Sequence, residues 1–420
     1  MTPFALRGCL IWSSAPDAVE LRPGAYAVCG ADGRCAGVFD ALPAEFAGIP
    51  VRDLGDTLIV PGYSDLHTHA AQYRHRGLGM DLTLIDWLER LTYPEEARFA
   101  DAAFARDVYG RFAAELRAGF TTRACIFASA HREGTEILME ALEETGLRTL
   151  VGKVNMDRNA PETLRERDAA FVREDTERWI TEAGRFSRTR PILTPRFVPS
   201  CTPAAMEVLA ELRRIYRLPV QSHLDETPEE IAWVRELCPE AESYAAVYDA
   251  AGMLGPDCVM AHGIYLTDGE MDLLRRTGTF LAHCPASNSN VRSGIAPIRK
   301  YLDAGLRVGL GTDISGGHTL DMAQAVRDAL AVSRLLWRLS PEHPTHLSAA
   351  EAFWLATAGG GAFFGKVGKF EPGYEFDAAA VDDGAWAEPG DDPDVRFQKM
   401  IYNAGSRNVV AKYVAGERLF

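Results

Sequence analysis

Two hydrophobic periodicities divide the chain. Up to about Thr57, apolar and polar residues alternate in short runs broken by Gly and Asp-Gly turns, as in FALRGCLIWS, GAYAVCGADGRCAGVF and IPVRDLGDTLIV, a pattern that predicts β-strands. Beyond it, short β-rich runs alternate with long stretches whose apolar residues recur at helical spacing. The runs cover 57–67, 119–127, 147–154, 191–197, 218–224, 257–263, 278–284 and 306–313. Between them, DAAFARDVYGRFAAELRAG, PAAMEVLAELRRIYR, PEEIAWVRELCP and DGEMDLLRRTG carry Asp, Thr-Pro or Pro at their starts, several with Gly just past the end, as helices do. This strand and helix alternation predicts an α/β fold, a (β/α)8 TIM barrel. Past the eighth run two more helical stretches follow, and KVGKFEPGYEFDAAAVD and VVAKYVAGERLF return to turn-rich β sequence. Both chain ends are therefore expected to build one small β-sandwich, from 1–57 and 366–420, beside a barrel over 58–365. DDGAWAEPGDDPD reads as an acidic loop.

Composition narrows the partners. The 420 residues include 44 basic and 59 acidic side chains, a net charge of −15 spread along the chain. Nucleic-acid and anionic-membrane surfaces need basic stripes to replace counterions, so neither is expected, and the partner should be small and not strongly anionic. No apolar run approaches the roughly 20 residues that span a bilayer, and the first residues lack a basic segment followed by a continuous apolar one, so a cytoplasmic location is expected. The cysteines are scattered without a C-x-x-C pair and read as free thiols, buried and inert.

Chemistry in such barrels gathers where the strands end. The first run ends in His67 and His69, the fourth in Arg196, the fifth in His223, the sixth in His262, the seventh in His283 and the eighth in Asp313. Alternate residues of an extended segment face one side, so His67 and His69 point together into the barrel mouth, where His223 and Asp313 converge with them. Three imidazoles and a carboxylate suit one divalent ion, Zn²⁺ or Fe²⁺, with water as the remaining ligand.

The words PGYSDLHTH, SHLDE, MAHG and GLGTD, in this order, resemble the metal-dependent amidohydrolase superfamily. HTHAAQY, IDWLERLTYPEEARF, VGKVNMDRNAP, TPRF, SHLDETPEEIAWV, AHCPASN and GLGTDISGG narrow the likeness to guanine deaminases, from about residue 57 onward. The resemblance implies that His67, His69, His223 and Asp313 hold the metal, Asp313 also counting among the catalytic groups. It implies further that Glu226 shuttles a proton and that His262 steadies the activated water. Arg196 would face a purine carbonyl, Gln72 the ring-nitrogen edge, and Phe197 would lie by the ring. The implied reaction is guanine and water to xanthine and ammonia, the implied partner a small purine, and the implied assembly a homodimer, because barrels of this family often pair. His75, Arg76 and Trp87 read as lid or surface residues, and His283 as a structural contact.

Other readings remain open on the residues alone. The run after AHCPASN continues as SNVRSG, which puts Arg292 near a pocket loop and leaves room for another amino-purine, such as 8-oxoguanine, or a pterin. An amidohydrolase cutting a cyclic amide would bridge two metals with a carboxylated lysine on the fourth strand, where PILTPRFV has none; Lys153 sits on the third. The zinc deaminase pattern H-x-E with P-C-x-x-C is incomplete, because no P-C-x-x-C follows His131 and Glu133. A catalytically dead scaffold should have lost ligands that are all present here.

Overall fold

The computed structural model describes residues 1–420. Eight parallel strands, Tyr63–His69, Thr121–Phe127, Arg148–Gly152, Thr189–Pro191, Val220–Leu224, Cys258–His262, Phe280–His283 and Arg307–Leu310, share one sheet. Every run read from the sequence contributes to it. The order in space runs from Val220–Leu224 to Arg307–Leu310, continues at Tyr63–His69 and ends at Thr189–Pro191. A parallel bridge between Leu193 and Val220 joins the two extremes of that order. The fold is thus an α/β fold with a parallel sheet, and the segments between strands are mostly helices.

The segment 57–67, read as one strand, is two. Val51–Pro61 belongs to a different sheet, and Tyr63–His69 opens the parallel one. Pro61 brings no ladder donor, and a Cβ at Gly62 would lie 2.2 Å from the Thr122 side chain, so the chain crosses between sheets where only glycine fits. The fourth run is the most broken, with strand only at Thr189–Pro191 and Thr194–Pro195, the latter pairing with Val154–Asn155. Its two prolines explain the interruption.

Strands from both chain ends lie in one seven-stranded sheet, ordered Glu417–Arg418, Val409–Val414, Ala378–Val381, Val51–Pro61, Phe4–Ala15, Ala18–Cys29 and Cys35–Phe39. Its own apolar cluster includes Leu6, Leu10, Phe370, Phe376 and Tyr413, separate from the large cluster around the parallel sheet.

The helices Ala102–Ala118, Pro203–Tyr216, Pro228–Leu237 and Asp268–Thr277 stand where the periodicity placed them. Asp101, Thr202 and Thr227 cap three of them, and Thr267 with Glu270 forms a capping box on the fourth. Two helical regions were not legible: the short turns between Ala70 and Ala100, and Pro393–Asn403, which Asp392 caps at the end of the acidic loop. No helix is long and apolar enough to cross a membrane. The cysteines are all free, and every one but Cys238 is buried.

The two sheets are tied by a buried ion pair. Arg123, on the strand Thr121–Phe127, donates from Nε to Asp377 Oδ2 at 2.7 Å and from Nη2 to Asp377 Oδ1 at 2.8 Å and Glu375 Oε2 at 2.6 Å. Asp377 also accepts from the Ala415 amide at 2.7 Å. Removing one partner strands a guanidinium away from water. Asp377→Ala should therefore lower the unfolding free energy by about 3–5 kcal/mol, seen as a lower urea midpoint; a change below about 1 kcal/mol would mean that water reaches the arginine and the pair is not a tie.

Candidate active site

His67 and His69 occupy the end of the strand Tyr63–His69 at alternate positions, and both side chains are buried. Their Nε2 atoms are 3.2 Å apart. His223, on Val220–Leu224, brings its Nε2 to 3.3 Å from that of His69. Asp313 follows the strand Arg307–Leu310 and places Oδ1 at 3.2 Å from His67 Nε2 and 3.5 Å from His69 Nε2. A tetrahedral ion bound at the usual zinc distances would space its ligand atoms about 3.3 Å apart. The donors therefore fit a single small divalent cation.

The protonation states agree with that fit. His223 Nδ1 lies 2.6 Å from the carbonyl oxygen of Arg196, which can only accept, so the ring proton sits on Nδ1 and the Nε2 lone pair faces the cluster. Burial, reinforced by the neighbouring His67, holds His69 and His223 well below the usual imidazole range, so both are neutral at pH 7. Burial works against the Asp313 carboxylate, yet His67, His262 and His69 together keep it well below the usual carboxylate range.

The backbone is shaped around these atoms. Asp65 lies two residues before His67 but does not join the cluster: it accepts from the His67 amide at 3.2 Å, the Thr312 amide at 3.1 Å and the Thr312 hydroxyl at 2.5 Å, tying the first strand to the eighth. A Cβ at Gly311 would fall 2.9 Å from His67 Cβ, so the eighth strand can approach the ligands only as glycine. Asp313 and His262 have φ values of 46° and 74°, conformations that side-chain-bearing residues adopt rarely and that cluster at functional sites.

Glu226 and His262 stand beside the cluster. His262 Nε2 is 3.4 Å from Glu226 Oε2 and 3.8 Å from Asp313 Oδ2, and its Nδ1 is 2.8 Å from Asn288 Oδ1. Glu226 accepts from the Ser293 hydroxyl at 3.2 Å. Its amide donates to Glu230 at 2.9 Å, and Glu230 also accepts from the Tyr244 hydroxyl at 2.8 Å. Burial and then the Asp313 charge push the Glu226 carboxyl up.

The same cavity continues to Gln72, Arg196 and Phe197, between apolar walls of Leu84, Trp87, Leu88 and Val291. Arg196 is buried, and its guanidinium meets both oxygens of Glu96: Nη1 to Oε2 at 2.6 Å and Nη2 to Oε1 at 3.1 Å. Gln72 donates to Glu96 Oε1 at 3.0 Å and accepts from the Ser315 amide at 3.0 Å. Every residue singled out for the site thus lies in one cavity, except that His67 is set just behind it in the metal cluster.

Several neighbouring readings change. Trp87 is buried in the wall rather than on a surface, because its indole N–H donates to Leu78 O at 3.0 Å and its ring packs with Leu84, Leu88 and Tyr93. His75 is buried against it, and Arg76 pairs with Glu115 at 2.8 Å. Arg292 is exposed and it is Val291 that lines the cavity. His283 is buried with neither ring nitrogen hydrogen-bonded, and burial lowers it to about 3. Lys153, fully buried, pairs with Glu166 at 2.6 Å and Asp175 at 3.3 Å, which fixes it away from the ligand cluster's chemistry. Glu96, Leu84 and Leu88 were not identified from the sequence; IDWLERLTYPEEARF contains them, but nothing in that string separates Glu96 from Glu95.

Known proteins share this arrangement widely. The family model described as "Amidohydrolase family" matches residues 58–419. The guanine deaminase of Dictyostelium discoideum is 37% identical over 380 residues, covering 88% of this chain and 84% of its own. That of Homo sapiens is 36% identical over 391 residues, covering 89% and 86%. A crystal structure of the guanine deaminase from C. acetobutylicum, with guanine bound in its active site, superposes with a TM-score of 0.96 at 40% identity over 100% of both chains. With a family match over most of its length and relatives above one-third identity, the chain belongs to the amidohydrolase family.

Proposed function

We propose that this chain hydrolyses guanine to xanthine and ammonia, with one divalent ion, zinc by the character of its donors, held by His67, His69, His223 and Asp313. The observation that carries the reading is one cavity with a metal-type donor cluster at one end and an arginine and an amide, suited to a lactam edge, at the other. The bound guanine in the C. acetobutylicum relative supports the same ligand class. We read the parallel sheet, joined through Leu193 and Val220, as a (β/α)8 barrel over 58–365, and the mixed sheet of the chain ends, 1–57 and 366–420, as the accompanying β-sandwich.

The ion, when bound, lowers the pKa of water from near 16 toward roughly 7. The remaining work falls to side chains. Arg196 donates to the 6-carbonyl, Gln72 addresses the ring-nitrogen edge, and Phe197 with the apolar walls confines the planar ring. Glu226, 3.4 Å from His262, takes a proton from the attacking water and gives it to the ring nitrogen next to the amine-bearing carbon, which makes that carbon more electrophilic. His262, held through Nδ1 by Asn288, steadies the oxygen that adds. Glu226 then carries a proton to the departing amine, and the tetrahedral carbon collapses with loss of ammonia. The elevated Glu226 carboxyl would be drawn back down by a cation beside Asp313, into the range where it can both take and return a proton.

Ammonia release from metal-quantified protein should occur with guanine, at about one metal per chain if the donor count is right. Release only from 8-oxoguanine, another amino-purine or a pterin would move the substrate, and metal without deamination would favour ring-opening amidohydrolysis. Glu226→Gln should keep the metal and lose at least about a hundredfold in kcat; near-normal turnover would remove Glu226 from proton transfer. Arg196→Ala should impair 6-oxopurines more than aminopurines lacking that oxygen, whereas equal losses would refute the carbonyl contact.

A further inference from the structure

Both side chains at the recognition end of the cavity depend on one carboxylate that touches nothing else. Glu96 is fully buried, and its two oxygens are occupied by Arg196 Nη1 and Nη2 and by Gln72 Nε2, at 2.6, 3.1 and 3.0 Å. It is the only acidic group within ion-pair distance of Arg196. Two consequences follow. Gln72 cannot flip its amide, because doing so would turn oxygen toward Glu96 and N–H toward the Ser315 amide. Arg196 spends two of its five N–H donors on Glu96 and keeps the others, but its charge is cancelled in place.

A buried guanidinium without a counterion would draw anions into the cavity; the paired one offers donors without net charge. We infer that Glu96 is a positioning residue that sets specificity: it locks Gln72 and neutralises Arg196, so this end accepts a neutral lactam edge and disfavours ionised rings. The inference rests on the guanine reading for its physiological meaning. Deamination replaces the amine by a second carbonyl next to a ring N–H, and an N–H between two carbonyls is more acidic than one in a lactam. The product ionises more readily than the substrate, and a neutral pair gives its anion no extra hold. Glu96 thereby favours product release as well as substrate choice. It also fastens the wall: Glu96 belongs to the short helix Tyr93–Ala97, which continues the segment carrying Leu84, Trp87 and Leu88.

The test uses the metal-loaded protein and its variants Glu96→Gln and Glu96→Asp. Calorimetric affinities for hypoxanthine and xanthine are measured at one mildly alkaline pH, where xanthine is mostly ionised and hypoxanthine mostly neutral, beside metal content, KM and kcat for guanine. Glu96→Gln should shift the affinity ratio toward xanthine by about tenfold or more, raise KM more than it lowers kcat, and leave metal content unchanged. Parallel weakening of both ligands would reduce Glu96 to a structural role and overturn the inference. Glu96→Asp retains the charge but shortens the reach, so it should raise KM while keeping the preference for hypoxanthine. Should Glu96→Gln fail to fold, an unchanged KM in Glu96→Asp would itself overturn the positioning role. If the wild type releases no ammonia from guanine, the functional reading fails, while the affinity ratio still decides the role of Glu96.

Discussion

Four donor atoms that cannot hydrogen-bond among themselves are forced to face one another in a dry site. The Nε2 atoms of His67, His69 and His223 and an oxygen of Asp313 stand 3.2–3.5 Å apart with their lone pairs inward. Without a cation this arrangement is a buried cluster of electron-rich atoms, which proteins avoid unless a charge compensates it. The rest of the architecture serves to hold it. Asp65 binds the first strand to Thr312 just before Asp313, Gly311 lets the eighth strand close on His67, and the Arg196 carbonyl fixes the tautomer of His223. Asp313 and His262 are kept at positive φ by surroundings that leave them no other place.

Much of this was readable in advance, and for an identifiable reason. The ligands sit at strand ends, strands show themselves by short apolar runs, and an alternate pair such as His67 and His69 needs only period-2 geometry to share a face. The helices were legible where Asp101, Thr202, Thr227 and Thr267 announce their starts. Asp65 shows the limit of that reasoning: alternation put it on the same face as the ligands, yet its oxygens are consumed one layer below by Thr312. The broken fourth strand and the crossing at Gly62 depend on prolines and a close approach that only the packed structure displays.

The less legible part is the segment between Ala70 and Ala100, which folds as short helical turns instead of one periodic helix. Its apolar residues serve a cavity wall rather than a helix face against the core, so Leu84, Trp87 and Leu88 follow no single period that a sequence reading could extract. Charge misled in the same way. Glu95 and Glu96 look alike in sequence, but Glu95 pairs with Arg74 and Arg98 toward solvent while Glu96 turns inward to Arg196. Which of two adjacent acids is buried is decided by the helix phase, and a single turn gives too little sequence to define that phase.

The cavity is therefore organised by two opposite treatments of charge. At the strand ends, an excess of electron-rich donors calls for a cation and makes that end reactive toward an electron-poor ring carbon. At the far end, a cation already present is cancelled by Glu96, leaving directional donors without a field that would favour anions. Placing a bare guanidinium opposite a metal would have put two like charges across one small, dry cavity, where screening by water is weak. Pairing Arg196 with Glu96 removes that repulsion while preserving the planar donor fork, so recognition and activation can coexist in one pocket with the charge balance each requires.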